Sequence, residues 1–267
     1  MRVFENLGKK KVVLGMVHLG ALPGTPFGEA GSYATVRMKA LNDALALEAG
    51  GADGCVVQNA GDRVFATDHA DPVIVVAMAD IVRAITEATG PEFQTGVQIL
   101  RNDLDAALAV AHICGGSFLR CGALIGATVT ASGIMQGDPY AFQAYRTRIG
   151  AQQIKLIAEI HSMHFEWLGD RPVGEIARNA KAAGADAVGL CDPDDEMTLR
   201  LIREVRTAAP GLPIIIGGYT NHENVARLLA DADGAIVGSC FERGGRGGAV
   251  QVDAVREYVD IVAGVAG

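Results

Sequence analysis

Residues 49–57 read Ala-Gly-Gly-Ala-Asp-Gly-Cys-Val-Val, and residues 181–190 read Lys-Ala-Ala-Gly-Ala-Asp-Ala-Val-Gly-Leu. In each stretch a helix-length segment ends at glycine, and a short apolar run follows it. Glycine is favoured just past the C-terminus of a helix, because it adopts the left-handed backbone conformation that closes the last turn. The two stretches therefore predict the same connection, from a surface helix to a buried strand.

This alternation of short apolar runs with helix-length amphipathic segments continues along the whole chain and is typical of βαβ units in a parallel sheet. The predicted strands are Val12–Val17, Gly54–Val57, Thr95–Leu100, Phe118–Cys121, Leu156–Ile160, Ala187–Leu190, Ile214–Gly217 and Ala235–Val237. The predicted helices are 34–49, 72–89, 103–113, 139–152, 173–183, 195–208, 222–230 and 252–263.

Some helix starts carry recognisable signals. Asp71-Pro72 and Asp138-Pro139 each place a capping side chain before a proline at the first helical position, and Thr220-Asn-His-Glu223 has the pattern of a capping box.

Eight strand–helix units are the number of a closed barrel, so we predict an α/β fold, a (β/α)8 TIM barrel that forms a single domain over residues 1–267. The rival is an open doubly wound sheet. Its glycine-rich GxGxxG turn is absent after the first strand, where His18 stands instead.

Composition excludes several classes of function. The chain has a formal net charge of −8 without acidic or basic blocks, so we predict neither a nucleic-acid partner nor an anionic membrane surface. The apolar run Val12–Leu19 is only strand-sized, so we expect no signal peptide and no membrane span. Five cysteines without a CxxC pair predict reduced thiols in a cytoplasmic protein.

Three predicted βα loops are long, and the active sites of barrels lie at such loops. They cover residues 18–28, 58–69 and 122–137. The last has spaced glycines and small residues, which fit a mobile lid; the alternative is that it packs over the barrel mouth.

A phosphate site is indicated by the ends of strands seven and eight. Gly217-Gly218 follows the seventh apolar run, and Gly238-Ser239 follows the eighth. Glycine lets a backbone approach a ligand, and amides at the start of the following helix can face an anion. Because these two loops form the usual phosphate site of such barrels, we predict a phosphorylated small-molecule ligand here.

Further polar residues follow strands two, three, four and six. The candidates for binding substrate are Gln58, Asn59, Gln98, Arg101, Asn102, Arg120 and Asp192. The two arginines could clamp a carboxylate or phosphate, or else pair with Asp62 or Asp103. Asp192 is also a candidate base, but Asp192-Pro-Asp-Asp195 fits a helix start, and this structural role is slightly favoured.

Acid–base chemistry is predicted for Glu159 and His161, since alternation along a strand would give them the same face. His18 and His164 are the next candidates. A carboxylate beside an imidazole orients it and favours its protonated form, although such a pair could also merely hydrogen-bond inside the barrel. These four residues are of metal-binding types, but strands one and five lie on opposite sides of a barrel. We therefore predict no metal and no cofactor.

A lysine imine is not expected, because none of the lysines (9, 10, 11, 39, 155 and 181) stands at the C-terminal end of a predicted strand.

Several of these segments together resemble the BtpA/SgcQ family over nearly the whole chain. They are Gly15–Pro26, Gln58–Asp62, Leu100–Asp103, Phe118–Arg120 and Asp233–Ser239. The resemblance implies a barrel similar to the ribulose-phosphate-binding ones and a proposed role in photosystem I biogenesis, without an established reaction. Gln58, Met163 and Cys191-Asp192 stand where the family tends to have glutamate, lysine and a Thr-Gly pair, so this chain looks like a divergent member.

The leading hypothesis is an acid–base enzyme, an isomerase, epimerase, lyase or hydrolase, that acts on a sugar phosphate or a related phosphorylated metabolite. The alternative is a non-catalytic assembly or biogenesis factor, as the family name suggests. We leave open whether the chain also forms a homo-oligomer.

Overall fold

Eight parallel strands close into a barrel in residues 10–265, the part of the chain that the computed structural model describes. The strands are β1 (Val12–His18), β2 (Gly54–Gln58), β3 (Gln94–Gln98), β4 (Phe118–Cys121), β5 (Ala127–Thr130), β6 (Gly133–Gln136), β7 (Lys155–His161), β8 (Glu166–Trp167), β9 (Ala187–Leu190), β10 (Ile214–Ile216) and β11 (Gly234–Val237). Around the barrel the order is β1, β2, β3, β4, β7, β9, β10, β11 and back to β1. The predicted TIM-barrel fold is confirmed.

The helices lie between the barrel strands. They are α1 (Tyr33–Ala49), α2 (Pro72–Ala88), α3 (Leu104–Cys114), α4 (Pro139–Arg148), α5 (Val173–Ala182), α6 (Asp195–Ala208), α7 (Val225–Leu228) and α8 (Val252–Ala263), with a 3₁₀ turn at Ala60–Asp62. None of the helices between residues 10 and 265 is long and apolar enough to cross a membrane.

The barrel interior is filled by side chains from alternate positions of the strands. It contains Val12, Leu14, Met16, Val56, Phe118, Ile157, Ala187, Ile215 and Ile236. On β3 the interior position is Gly96, where an added Cβ would lie 2.2 Å from the Phe118 ring. The missing side chain makes room for that ring, which is fully buried.

Three aspartates clamp the strands together at the N-terminal end of the barrel. Each stands just before a strand and accepts a hydrogen bond from a backbone amide of the neighbouring strand. The bonds run from Val13 N to Asp53 Oδ2 (2.9 Å), from Leu156 N to Asp186 Oδ2 (3.0 Å) and from Ile214 N to Asp233 Oδ2 (2.7 Å). The recurring Ala-Asp before an apolar run is therefore part of the strand connection.

The long loop after β4, residues 122–137, contains secondary structure of its own, where the sequence predicted a loop. Strands β5 and β6 form a hairpin, and β8 pairs with β5 to give a three-stranded antiparallel sheet. The indole Nε1 of Trp167 donates to the carbonyl of Ile160 at 2.8 Å. This bond ties the small sheet to the end of β7.

Two of the three predicted helix starts are confirmed. The carboxylates of Asp71 and Asp138 accept from the amides of Val73 and Ala141. The predicted capping box is wrong, because the Thr220 hydroxyl accepts from the Tyr258 hydroxyl at 2.8 Å instead.

The seventh helix is shorter than the predicted 222–230 and covers only Val225–Leu228. The segment before it is held by the Asn221 side chain, whose Oδ1 accepts from the amides of Glu223 and Asn224. These bonds form a turn in place of the first helical turn.

All five cysteines are unpaired, and four of them are buried. Burial raises the pKa of the Cys55 thiol to about 12, so it stays protonated. This agrees with the predicted reduced thiols.

Candidate active site at the barrel mouth

A cavity of about 500 Å³ opens at the carboxyl ends of the barrel strands. Its lining includes the last interior-facing side chain of five strands, namely His18, Gln58, Gln98, Arg120 and Glu159. Each stands two residues after an interior position such as Met16, Val56 or Ile157. Because strand side chains alternate, the pattern that fills the barrel with apolar groups also aims these polar groups into its mouth.

The floor of the cavity is a connected set of buried polar side chains. Gln58 Nε2 donates to Gln98 Oε1 at 2.6 Å, and a longer contact of 3.4 Å joins Gln98 Nε2 to Glu159 Oε2. An Nη of Arg120 donates to Glu159 Oε1 at 2.7 Å and to the carbonyl of Gly217 at 3.3 Å. Arg120 and Glu159 are only 8% and 9% exposed, so each charge depends on the other for its compensation.

His18 is held by a carboxylate that the sequence did not point to. Its Nδ1 lies 2.8 Å from Oε1 of Glu242, whose side chain is fully buried. The other oxygen of Glu242 accepts from the amide of Gly247 at 3.1 Å. With Nδ1–H donated to the carboxylate, a neutral imidazole keeps its lone pair on Nε2. His18 can then accept a proton at a cavity wall.

His164 stands at the rim of the cavity among several charges. Partial loss of hydration lowers its pKa, the negative charge of Glu159 opposes this, and Arg101, Arg246 and Arg120 lower it further. The ring is therefore less than half protonated at the pH where an ordinary histidine is half protonated.

Three arginines of the cavity have no acidic partner among residues 10–265. They are Arg63, Arg101 and Arg246. The guanidinium of Arg101 lies over the ring of Phe65 at 5.2 Å, and its Nε is buried without a hydrogen-bond partner. Burial lowers the pKa of Arg101, Glu159 raises it, and the charge of Arg246 lowers it again. Like charges this close to one another favour an anion between them.

The loops after β10 and β11 border the cavity with Gly217, Gly218, Gly238 and Ser239. A Cβ on Gly238 would lie 2.9 Å from Cε1 of His18, so a side chain there would displace the imidazole. Gly217 uses its amide in the sheet, where it donates to the Leu190 carbonyl at 2.8 Å. The amides of Gly218 and Ser239 donate to no other residue between 10 and 265.

These free amides are not the helix-start amides that the sequence predicted. Helix α7 begins only at Val225 and has four residues. The segment between Gly218 and this helix is a turn in which Tyr219 has a positive φ of 61°. Any anion at this end of the cavity would be held by loop amides, not by the end of a helix.

The prediction that Glu159 and His161 share a face is wrong. Glu159 pairs with Gly189 and His161 with Leu190, so two residues of β7 oppose one of β9 at a β-bulge. Such a bulge interrupts the alternation of side chains. His161 does not line the cavity, and its Nε2 lies 3.2 Å from Oδ2 of Asp192.

Three other candidates for binding substrate hold neighbouring loops. Asp192 Oδ1 accepts from the amide of Asp194 at 2.9 Å, at the turn before α6. Asn59 accepts from the Leu100 amide at 2.8 Å. Asn102 contacts both backbone groups of Ala123 at 2.8 and 3.0 Å. None of the three lines the cavity, since their polar atoms already have backbone partners.

The four residues weighed as metal ligands do not converge. His18 and Glu159 each have another charged partner, and His161 points elsewhere. Within the described residues, no three histidine, cysteine, aspartate or glutamate side chains form a group that could hold a metal ion.

Arg246 lines the cavity but was not among the predicted site residues, although the sequence carries a signal for it. Arg246 stands between two glycine pairs in Gly244-Gly-Arg-Gly-Gly248, on the loop after β11. Gly245 donates to the Glu242 carbonyl, and Arg243 donates to the carbonyl of Ala249. These bonds fold the loop back on itself, with Arg246 at its tip.

Comparison with known proteins shows to which family the barrel belongs. The model of the BtpA family matches residues 9–264. The chain belongs to the BtpA family. This confirms the resemblance that the sequence motifs indicated.

Relatives of this BtpA-family chain are known from distant organisms. The photosystem I biogenesis protein BtpA of Synechocystis is 31% identical over 92% of this chain and 85% of its own length. An uncharacterized protein of Thermococcus kodakarensis is 32% identical over 95% of both chains. Among solved structures, N-(5'-phosphoribosyl)anthranilate isomerase from Pyrococcus furiosus has a TM-score of 0.59 at 14% identity, covering 96% of this chain and 100% of its own. At that identity the likeness concerns the fold alone.

We expect the His164 imidazole of this BtpA-family barrel to titrate below the ordinary value of about 6.5. Because the unfolded chain takes up this proton near 6.5, the folded protein loses stability as the pH falls below that value. NMR titration of the histidine ring protons measures the pKa, with His164→Gln to assign the signal. Arg246→Gln should raise the pKa, since it removes one of the lowering charges.

Arg243→Gln is the matched control, because its guanidinium is held by Gln251 outside the cavity. A His164 signal that titrates at or above 6.5 in the wild type would contradict this electrostatic picture.

Proposed function

We propose that this BtpA-family barrel is an enzyme that binds a phosphorylated small molecule at its mouth and acts on it by acid–base chemistry. One observation carries the proposal. Among residues 10–265 the cavity is lined by four arginines and a single carboxylate, in a chain whose formal net charge is −8. A cleft of one sign within a protein of the opposite sign concentrates ions of the protein's own sign. The expected ligand is therefore an anion.

The phosphate group is assigned to the amides of Gly218 and Ser239. Both amides are free of partners within residues 10–265, and they border the cavity on neighbouring loops. Gly217 and Gly238 support this arrangement, because their missing side chains keep Arg120 and His18 in place. The isomerase that shares the fold is named for a phosphoribosyl substrate, which agrees with the assignment.

Acid–base chemistry is assigned to His18 and Glu159, with His164 as a further candidate. The His18 ring is oriented by Glu242 at 2.8 Å, which leaves Nε2 for proton transfer. Glu159 is the one carboxylate that lines the cavity in the described part of the chain. Sugar-phosphate isomerases, epimerases, lyases and hydrolases all need groups of this kind, so the reaction class stays within these four.

A lysine imine does not belong to the proposal. The lysines within residues 10–265 all lie outside the cavity. Lys155 pairs with Asp186 at 2.9 Å, at the N-terminal end of β7, and Lys10 and Lys39 pair with Asp53 and Asp43. Met163 lines the cavity, at a position where the family resemblance led us to expect a lysine.

The alternative, a non-catalytic role in photosystem I biogenesis, rests on the name of the Synechocystis relative. A contiguous exposed apolar patch would favour such a role. Among residues 10–265 the most exposed large apolar side chains are Val76, Ile113 and Tyr140, one on each of the helices α2, α3 and α4. A cavity with a buried ion pair and unpaired arginines favours the enzyme.

We expect the protein to bind inorganic phosphate and ribose 5-phosphate, and to bind ribose far more weakly. Ser239→Asp and Gly218→Asp should each weaken phosphate binding at least about 100-fold. A like charge about 5 Å away costs roughly 3 kcal/mol at an effective dielectric constant of about 20. Isothermal titration calorimetry measures the affinities.

Ser239→Ala is the matched control, because it retains the amide and should bind as the wild type does. Unchanged affinity in both folded aspartate variants would show that the anion sits elsewhere. A folded wild type that binds neither phosphate nor ribose 5-phosphate would refute the proposed function.

We also expect catalysis to depend on Glu159 and His18. A panel of sugar phosphates in D2O, followed by NMR, reports solvent deuterium incorporated at exchanged carbons. With any sugar phosphate that exchanges, Glu159→Gln and His18→Gln should slow the reaction by about 10²–10⁴-fold. Borohydride added during turnover should leave the mass of the chain unchanged.

His112→Gln is the control for loss of a histidine, because His112 lies on α3 and contacts Gln153. Urea unfolding checks that the variants are folded. Full activity in both cavity variants would remove these residues from the mechanism, and a borohydride adduct on a lysine would overturn the exclusion of an imine.

A further inference from the structure

The assigned phosphate position uses only one side of the cavity. Gly218 and Ser239 follow β10 and β11, whereas Arg101 follows β3. In the barrel order, β3 lies four strands from β10 in either direction, so the two are diametrically opposite. A phosphate on the loop amides therefore leaves the Arg101 side of the mouth unoccupied.

That opposite side is built for a second anion. Arg101 has a buried Nε without a partner, and Phe65 packs against its guanidinium at 5.2 Å. Buried polar atoms are nearly always hydrogen-bonded in folded proteins, so this one needs an explanation. A guanidinium held flat by an aromatic ring is prepared for the two parallel bonds of a carboxylate or phosphate.

Arg246 brings a second positive charge to bear on Arg101, since both side chains line the cavity and the charge of Arg246 lowers the pKa of Arg101. It is exposed at the tip of the glycine-rich loop, and neither it nor Arg101 has an acidic partner within residues 10–265. Glu159 does not serve as that partner, because its Oε1 is bonded to Arg120 at 2.7 Å. Two unpaired guanidinium groups near each other gain most from an anion that both can contact.

We propose that the ligand carries two anionic groups, a phosphate on the Gly218 and Ser239 amides and a second phosphate or carboxylate between Arg101 and Arg246. The inference rests on the proposed function and narrows its substrate class to bisphosphates and phosphorylated carboxylates. The reacting carbons of such a ligand lie between the two subsites, over Glu159 and Arg120 on the cavity floor.

Calorimetry with matched pairs of ligands tests the second subsite. One pair is fructose 6-phosphate and fructose 1,6-bisphosphate, which differ by a phosphate. The other is glycerol 3-phosphate and 3-phosphoglycerate, of which only the latter has a carboxylate. We expect the doubly anionic member of at least one pair to bind at least tenfold more tightly, and the pair that shows this preference identifies the second group.

Arg246→Gln and Arg101→Gln should abolish the preference, because each should weaken the doubly anionic ligand far more than the singly phosphorylated one. Arg243→Gln, on the same loop but bonded to Gln251, should retain it. Ser239→Asp should weaken the binding of both ligands of a pair.

Equal affinities within both pairs would overturn the second subsite while the phosphate site stands. An equal loss of affinity for both ligands of a pair in Arg246→Gln would do the same. Absence of binding by all four ligands would refute the phosphate site as well.

Discussion

The alternation of side chains along parallel strands is the constraint on which the rest of this barrel depends. Met16 and His18 share a face of β1, as Ile157 and Glu159 share a face of β7. Because the barrel is closed, the interior face of every strand ends at the same mouth. The register that buries the apolar layers therefore also gathers the polar residues. A shift by one residue would turn the interior side chains and the site residues together toward the surrounding helices.

The mouth combines two electrostatic environments. On its floor, Arg120 and Glu159 compensate each other in a buried pair, and breaking such a pair by removing one partner typically costs about 3–5 kcal/mol. Around its rim, Arg63, Arg101 and Arg246 have no such compensation from residues 10–265. The floor can thus persist in the empty protein, while the rim gains from a bound anion. This difference separates groups that organise the site from groups that attract the ligand.

Much of the architecture could be predicted from local patterns. The apolar runs, the glycines at helix ends and the Asp-Pro starts each act over a few residues, and the fold they predicted is the one observed. The alternation of side chains along β7 also correctly placed Glu159 in the cavity. The same alternation gave the wrong face for His161, because the bulge depends on how β7 pairs with β9, and no single segment encodes that pairing. The hairpin Ala127–Gln136 was missed for a similar reason, as its partner β8 lies some thirty residues further along the chain.

The residues that the sequence could not rank are those whose role depends on contacts between distant loops. The role of Glu242 follows only from its contact with His18, from which it is separated by 224 positions in the sequence. Asparagine often binds ligands, so Asn59 and Asn102 were reasonable candidates. In the structure, however, both side chains accept hydrogen bonds from backbone amides of neighbouring loops. The glycines that flank Arg246 are a local signal for a special loop, but they do not show that its side chain lies at the cavity.

We propose above all that the mouth of this BtpA-family barrel binds an anion, centred on the amides of Gly218 and Ser239. Crystals soaked in sodium tungstate test it most directly, because tungsten is located by its anomalous scattering. The account predicts a tungstate whose oxygens lie about 2.7–3.2 Å from both amide nitrogens. Tungstate bound only on the outer surface, with the cavity ordered and free of tungsten, would contradict it.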